Sequence, residues 1–113
     1  MQSCIIYHHP KCSKSRQALE LLKGYGINPT IIEYLNEPLN WNQLINLSSH
    51  FTLKDFVRTN ETVFKQLRLN LEDKESVLRA MLQEPILMQR PIVIYDGVAI
   101  IARPPEALHG LIK

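Results

Sequence analysis

With 113 residues, 45% apolar and 21% charged, the chain is long enough for one globular domain that buries roughly two-thirds of its unfolded surface. A formal charge of +2 without a basic tract argues against a nucleic-acid partner, and two cysteines make no disulfide scaffold. No segment approaches the ~20 apolar residues that span a bilayer, and the apolar run Cys4 to Tyr7 is too short for a signal peptide, so no membrane association and a cytoplasmic location are expected.

In chain order, residues 3–7 read as a short buried strand rich in Ile and Tyr. A Pro10 turn follows, and a helical pattern starts near Ser13. Ala18, Leu19, Leu22 and Tyr25 recur at helical spacing, Arg16, Gln17, Glu20 and Lys23 face outward, and Gly24 and Gly26 stop the helix. Residues 30–34 form a second strand, so the first thirty-four residues spell β-α-β with a parallel crossover. Asn40 and Gln43 make a capping box for a helix from Trp41 that fades at Ser48 to His50. Residues 51–69 read as two short helices, and Asp73 caps another that Pro85 ends. The period then changes. Residues 91–95, Asp96-Gly97 and residues 98–102 are a hairpin with a strong turn signal, and Pro104 and Pro105 open a final helix. The fold class is therefore α/β, a thioredoxin-like mixed sheet covered by helices, in one domain over residues 1–113 with a helical insert at about 38–88.

Cys12 stands where the first strand hands over to the first helix. A thiol there faces unpaired N–H groups and the positive end of the helix dipole, with Lys11, Lys14 and Arg16 nearby. Such surroundings favour the thiolate, so Cys12 is the candidate nucleophile and His8 its charge partner or hydrogen-bond donor. The bland alternatives are a small turn residue and a histidine that merely closes the strand.

Cys4 is expected to be inert. Residues 4–8, if extended, run about 13 Å, beyond the ~7 Å that disulfide Cα atoms allow. Ser15 occupies the fourth position of a Cys-x-x-Cys motif, so no resolving cysteine is at hand and a reductant must come from outside. Cys4, His8, His9 and Cys12 match no usual zinc spacing, and neither a metal nor a bound cofactor is expected. A C-x5-R phosphate loop fails because Ala18 occupies the arginine's place. What remains is His8-x3-Cys12-x3-Arg16, whose backbone N–H groups around residues 12–15 suit an anion nest, placing Ser15 and Arg16 among the substrate-binding residues. Arg90-Pro91 and Arg103-Pro104 bracket the hairpin, and their guanidinium forks suit a tetrahedral oxyanion; an ordinary surface arginine is the alternative for either alone.

These residues, with Glu33-Tyr34-Leu35, Pro85-Ile86-Leu87, Arg90-Pro91-Ile92-Val93 and Arg103-Pro104-Pro105-Glu106, make the chain resemble the glutaredoxin-coupled arsenate reductase family of thioredoxin-like fold. The likeness runs in order from about residue 4 to 112 and is nearest an arsenate-reductase-like subgroup. It implies a nucleophilic Cys12, an oxyanion such as arsenate held by Arg58, Arg90 and Arg103, glutathione as co-substrate, glutaredoxin as partner, and a cis bond at Arg90-Pro91. Two positions depart from the usual pattern: His9 replaces Asn and Ser13 replaces Gly. Two alternatives stand beside this enzyme. One is a glutathione-dependent thiol transferase without arsenate activity. The other is an interaction module like the Spx regulators that bind RNA polymerase, whose Cys-x-x-Cys switch Ser15 breaks here.

Overall fold

The computed structural model describes residues 3–112. It divides into two compact units, Met1–Glu37 with Arg90–Lys113, and Pro38–Gln89. The first unit holds β1 (Cys4–Tyr7), α1 (Ser13–Gly24), β2 (Thr30–Ile32), β3 (Ile92–Tyr95), β4 (Val98–Ile101) and α6 (Leu108–Leu111). The second holds α2 (Trp41–Ser48), α3 (Leu53–Phe56), α4 (Thr62–Gln66) and α5 (Lys74–Gln83).

The sheet order is β2-β1-β3-β4. β1 and β2 are parallel with Ile6 opposite Ile31, while β1–β3 and β3–β4 are antiparallel, Ile6 facing Val93 and Val93 facing Ile100. This is the crossover and hairpin expected from the sequence. The β3–β4 turn has Asp96 at φ 48° and Gly97 at φ 84°, the two positive angles of a type I′ turn. One core cluster forms where Cys4 and Ile6 of β1, Val93 and Tyr95 of β3, Ala18 and Leu22 of α1, and Leu108 and Ile112 near the C-terminus meet. Alternate β1 residues and an i, i+4 pair on α1 supply it, which is the burial that the two periodicities demand.

Two elements differ from the sequence reading. β2 stops at Ile32 rather than residue 34, because the Glu33 carbonyl accepts the N–H groups of Asn36 and Glu37 and turns the chain. The C-terminal helix starts as a 3-10 turn, Pro105–Ala107, before α6. Neither proline can donate into the first turn, so tight i+3 bonding opens the helix.

In the second unit the Asn40–Gln43 capping box is complete, Gln43 N–H donating to Asn40 Oδ1 at 2.8 Å and Asn40 N–H to Gln43 Oε1 at 2.9 Å. Asp73 caps α5 through the Ser76 N–H at 3.2 Å. α2 and α5 pack together, with the Arg79 guanidinium 4.8 Å from the Trp41 ring centroid. The segment around Val57 pairs with Met88 as a single antiparallel bridge.

Candidate active site

β1 delivers the chain to the site. His8 N–H donates to the Ile32 carbonyl (2.8 Å), continuing the parallel ladder one step beyond the strand. A turn then closes as Cys12 N–H donates to His9 C=O (2.9 Å), and Cys12 becomes the N-cap of α1 with extended backbone angles. The loop is stapled from both sides. Ser15, fully buried, accepts the His9 N–H on its Oγ at 3.0 Å and shares a 2.6 Å hydrogen bond with His8 Nδ1. Arg16 donates from Nη1 to the Pro10 carbonyl at 2.9 Å.

The two cysteines are driven in opposite directions. Burial raises the Cys4 thiol pKa, with Asp96 adding to it, and the residue packs as an apolar side chain in the core. Burial also works against ionisation of Cys12, but it is outweighed, and the Cys12 pKa lies below the ordinary value. The N–H of Ser15, the Arg90 side chain and the N–H of Lys14 all donate toward the sulfur, and the Arg90 charge adds to them. The sulfur thus takes the place of an N-cap oxygen without closing a conventional cap hydrogen bond.

Both pre-proline arginines reach this point. Arg103 Nη1 lies 3.9 Å from Cys12 Sγ and donates to the Arg90 carbonyl at 3.1 Å, so the two ends of the hairpin are tied beside the thiol. Nε and Nη1 of Arg90 are buried and have no hydrogen-bond partner among the described residues. Such donors are costly to leave unmet and suit an incoming oxyanion. The Arg90-Pro91 bond is cis; so is Arg103-Pro104, which the sequence reading did not anticipate.

Three candidate residues make contacts that the sequence alone did not specify. His8 is buried, and burial is the main reason its pKa is lowered, with Arg16 and Lys23 adding and Glu33 opposing. Burial thus disfavours its charged form. Its contact is with Ser15, whose own N–H faces the sulfur. Arg16 secures the loop carbonyl of Pro10, a role that its spacing from Cys12 does not reveal. Arg58 belongs to the second unit, where its N–H donates to Leu87 C=O at 2.7 Å and its Nε lies 3.7 Å from Glu61 Oε1. Among the described residues no group of three metal-ligating side chains occurs, and no helix is long and apolar enough to cross a membrane.

The Ser15 network carries a direct prediction. Ser15→Ala removes the acceptor of the His9 N–H and the partner of His8 Nδ1 inside a buried site, and is expected to cost about 1–3 kcal/mol of stability. Denaturant midpoints measure it. Ser15→Thr, which keeps the hydroxyl, should recover part of the loss, whereas Ser15→Cys should recover little because sulfur accepts weakly.

The comparisons with known proteins agree with one another. The sequence profile of the ArsC family matches residues 7–111. An Escherichia coli K12 protein named uncharacterized protein YfgD is 40% identical over 95% of this chain and 94% of its own. The arsenate reductase of Haemophilus influenzae is 40% identical over 94% of this chain and 96% of its own. The structure of an arsenate reductase from Vibrio cholerae superposes with a TM-score of 0.90 at 36% identity, covering 98% of each chain. A family profile that spans residues 7–111, together with relatives at 36–40% identity that cover nearly all of the chain, makes this chain a member of the ArsC family.

Proposed function

We propose that the protein is an arsenate reductase in which Cys12 is the nucleophile and Arg90 and Arg103 hold the oxyanion. The observation that carries this reading is the pair of buried, unmet donors on Arg90 beside a thiol of lowered pKa. The Cys12 thiolate attacks arsenic, one oxygen leaves as water, and a cysteinyl-arsenate adduct forms. The guanidinium groups neutralise the charge on the remaining oxygens as the adduct develops. Arg58 is proposed as a third anion ligand on the family resemblance alone. His8 acts through Ser15 by fixing the loop, as a positioning residue.

Regeneration takes two electrons. Two thiols emerge as one disulfide while arsenic passes from As(V) to As(III) and leaves as arsenite. Ser15 stands where a resolving cysteine would be, and Cys4 is buried in the core, which supports external thiols as the donors. Glutathione and glutaredoxin are the proposed donors, and both operate where glutathione stays reduced, in the cytoplasm.

The test is arsenate-dependent oxidation of glutathione by the purified protein with glutaredoxin present. Steady turnover that rises with arsenate and ceases without it supports the reading. Reduction of a mixed disulfide with no response to arsenate would overturn it in favour of a thiol transferase.

A further inference from the structure

Arg16 is an exposed cation in the fourth position of α1, close to the positive end of the helix dipole, and no acidic residue in the first turn offsets it. A side chain set against local preference in this way points to a task elsewhere. Arg16 is bonded to the chain on both sides of Cys12. Its N–H donates to the Cys12 carbonyl at 3.0 Å, and its guanidinium reaches back six residues to the Pro10 carbonyl at 2.9 Å. Around that grip the loop's own donors are engaged: His8 N–H with Ile32, His9 N–H with the Ser15 hydroxyl, and Cys12 N–H with His9.

We propose that Arg16 is a positioning residue, which touches neither sulfur nor oxyanion but fixes the backbone of residues 10–12 so that the Cys12 sulfur stays before the Lys14 and Ser15 N–H groups. The inference rests on the reading of Cys12 as a reactive thiolate. Cys12 has the extended angles of an N-cap, φ −93° and ψ 122°, and a change in either carries the sulfur away from those two donors. A Pro10 carbonyl held on a guanidinium is also not free to turn its negative end toward the thiolate. Direct charge is a separate matter. The charge that favours the Cys12 thiolate is that of Arg90, before β3, whereas the charge of Arg16 is felt at His8, at the end of β1. Arg103, after β4, and the neighbours Lys11 and Lys14 are the other cations of this region. Arg16 therefore acts on the thiol through geometry, as a support for groups that make the contact.

The experiment follows alkylation of Cys12 by iodoacetamide against pH in the parent and in Arg16→Met, which keeps an unbranched stem and removes the donor. Arg16 is exposed, so the variant should fold, and a denaturant midpoint checks that it does. The pH midpoint is expected to rise by about one unit, so that alkylation below both midpoints slows about tenfold. The rise should be the same in 0.1 M and 1 M KCl, because salt screens an exposed charge but not the set of a backbone. The arsenate concentration that half-protects Cys12 from alkylation should stay within about threefold of the parent's. An unmoved midpoint overturns the proposal. So does a shift that vanishes in 1 M KCl, which would make Arg16 a charge acting through space. A tenfold higher protecting concentration at the parent's midpoint would put Arg16 on the anion, and overturns it too. Alkylation needs no arsenate, so the midpoint and its salt dependence decide the matter even in a protein that does not reduce arsenate.

Discussion

Cys12→Ser is expected to lower arsenate turnover by roughly a thousandfold or more, while Cys4→Ser leaves turnover within about twofold of the parent, the contrast that separates an essential nucleophile from a residue outside the chemistry. A serine hydroxyl at the N-cap of α1 meets the same N–H groups of Lys14 and Ser15, so the loop should keep its shape. What it loses is an ionisable nucleophile, since an alcohol is far less acidic than a thiol, and His8 Nδ1 is engaged with Ser15. Cys4 lies among Ile6, Leu22, Val93 and Tyr95, and a hydroxyl there is expected to cost about 1–3 kcal/mol of stability. The measurement pairs steady-state turnover with a denaturant midpoint for each variant. Equal losses of turnover in both, with both folded, would falsify the one-thiol scheme.

Arg90→Ala is expected to reduce kcat/KM for arsenate by about a hundred- to a thousandfold, the usual consequence of removing one preorganised donor from a developing oxyanion. Arg103 is exposed and its Nη1 already donates to the Arg90 carbonyl, so Arg103→Ala should cost less, about tenfold. The same variants report on the thiol. Alkylation by iodoacetamide follows the thiolate fraction, so in the parent the rate should be half-maximal at a pH below that of an ordinary thiol and fall as the solution is acidified further. Removing Arg90 takes away both a hydrogen bond and a positive charge, and the midpoint must move upward. Stability follows the same sign. A depressed thiol pKa favours the fold above the unfolded value, and that contribution fades as pH falls through the folded value. If the Arg90→Ala midpoint stays where the parent's lies, the helix N-terminus alone activates Cys12, and the arginine acts on the anion only.

Most of the architecture was readable because local signals agreed. The alternating burial of Cys4 and Ile6, the Ala18–Leu22 pair, the Asn40–Gln43 box and the Asp96-Gly97 turn each have a period or a cap of their own. Where signals competed, the reading slipped. Glu33 and Tyr34 have strand propensity, yet the Glu33 carbonyl is taken by Asn36 and Glu37, so β2 ends early. Two prolines in a row open a 3-10 turn before the last helix, a distinction of hydrogen-bond register that composition does not carry.

The candidate site divides along the same line. By itself the sequence determined that Cys12 caps a helix after a strand, that no second cysteine follows one turn later, and that arginines bracket the hairpin. Each is a matter of residue type at short range, where spacing alone fixes geometry. Only the tertiary structure decided that Arg90 and Arg103, ninety-one residues from Cys12 in the latter case, arrive beside the same sulfur, because antiparallel pairing of β3 with β1 and of β4 with β3 brings the hairpin ends to the β1–α1 loop. It alone decided that His8 serves Ser15 and that Arg16 holds Pro10. Burial sets a proton's preference and the direction of a hydrogen bond, and burial exists only once distant segments have packed.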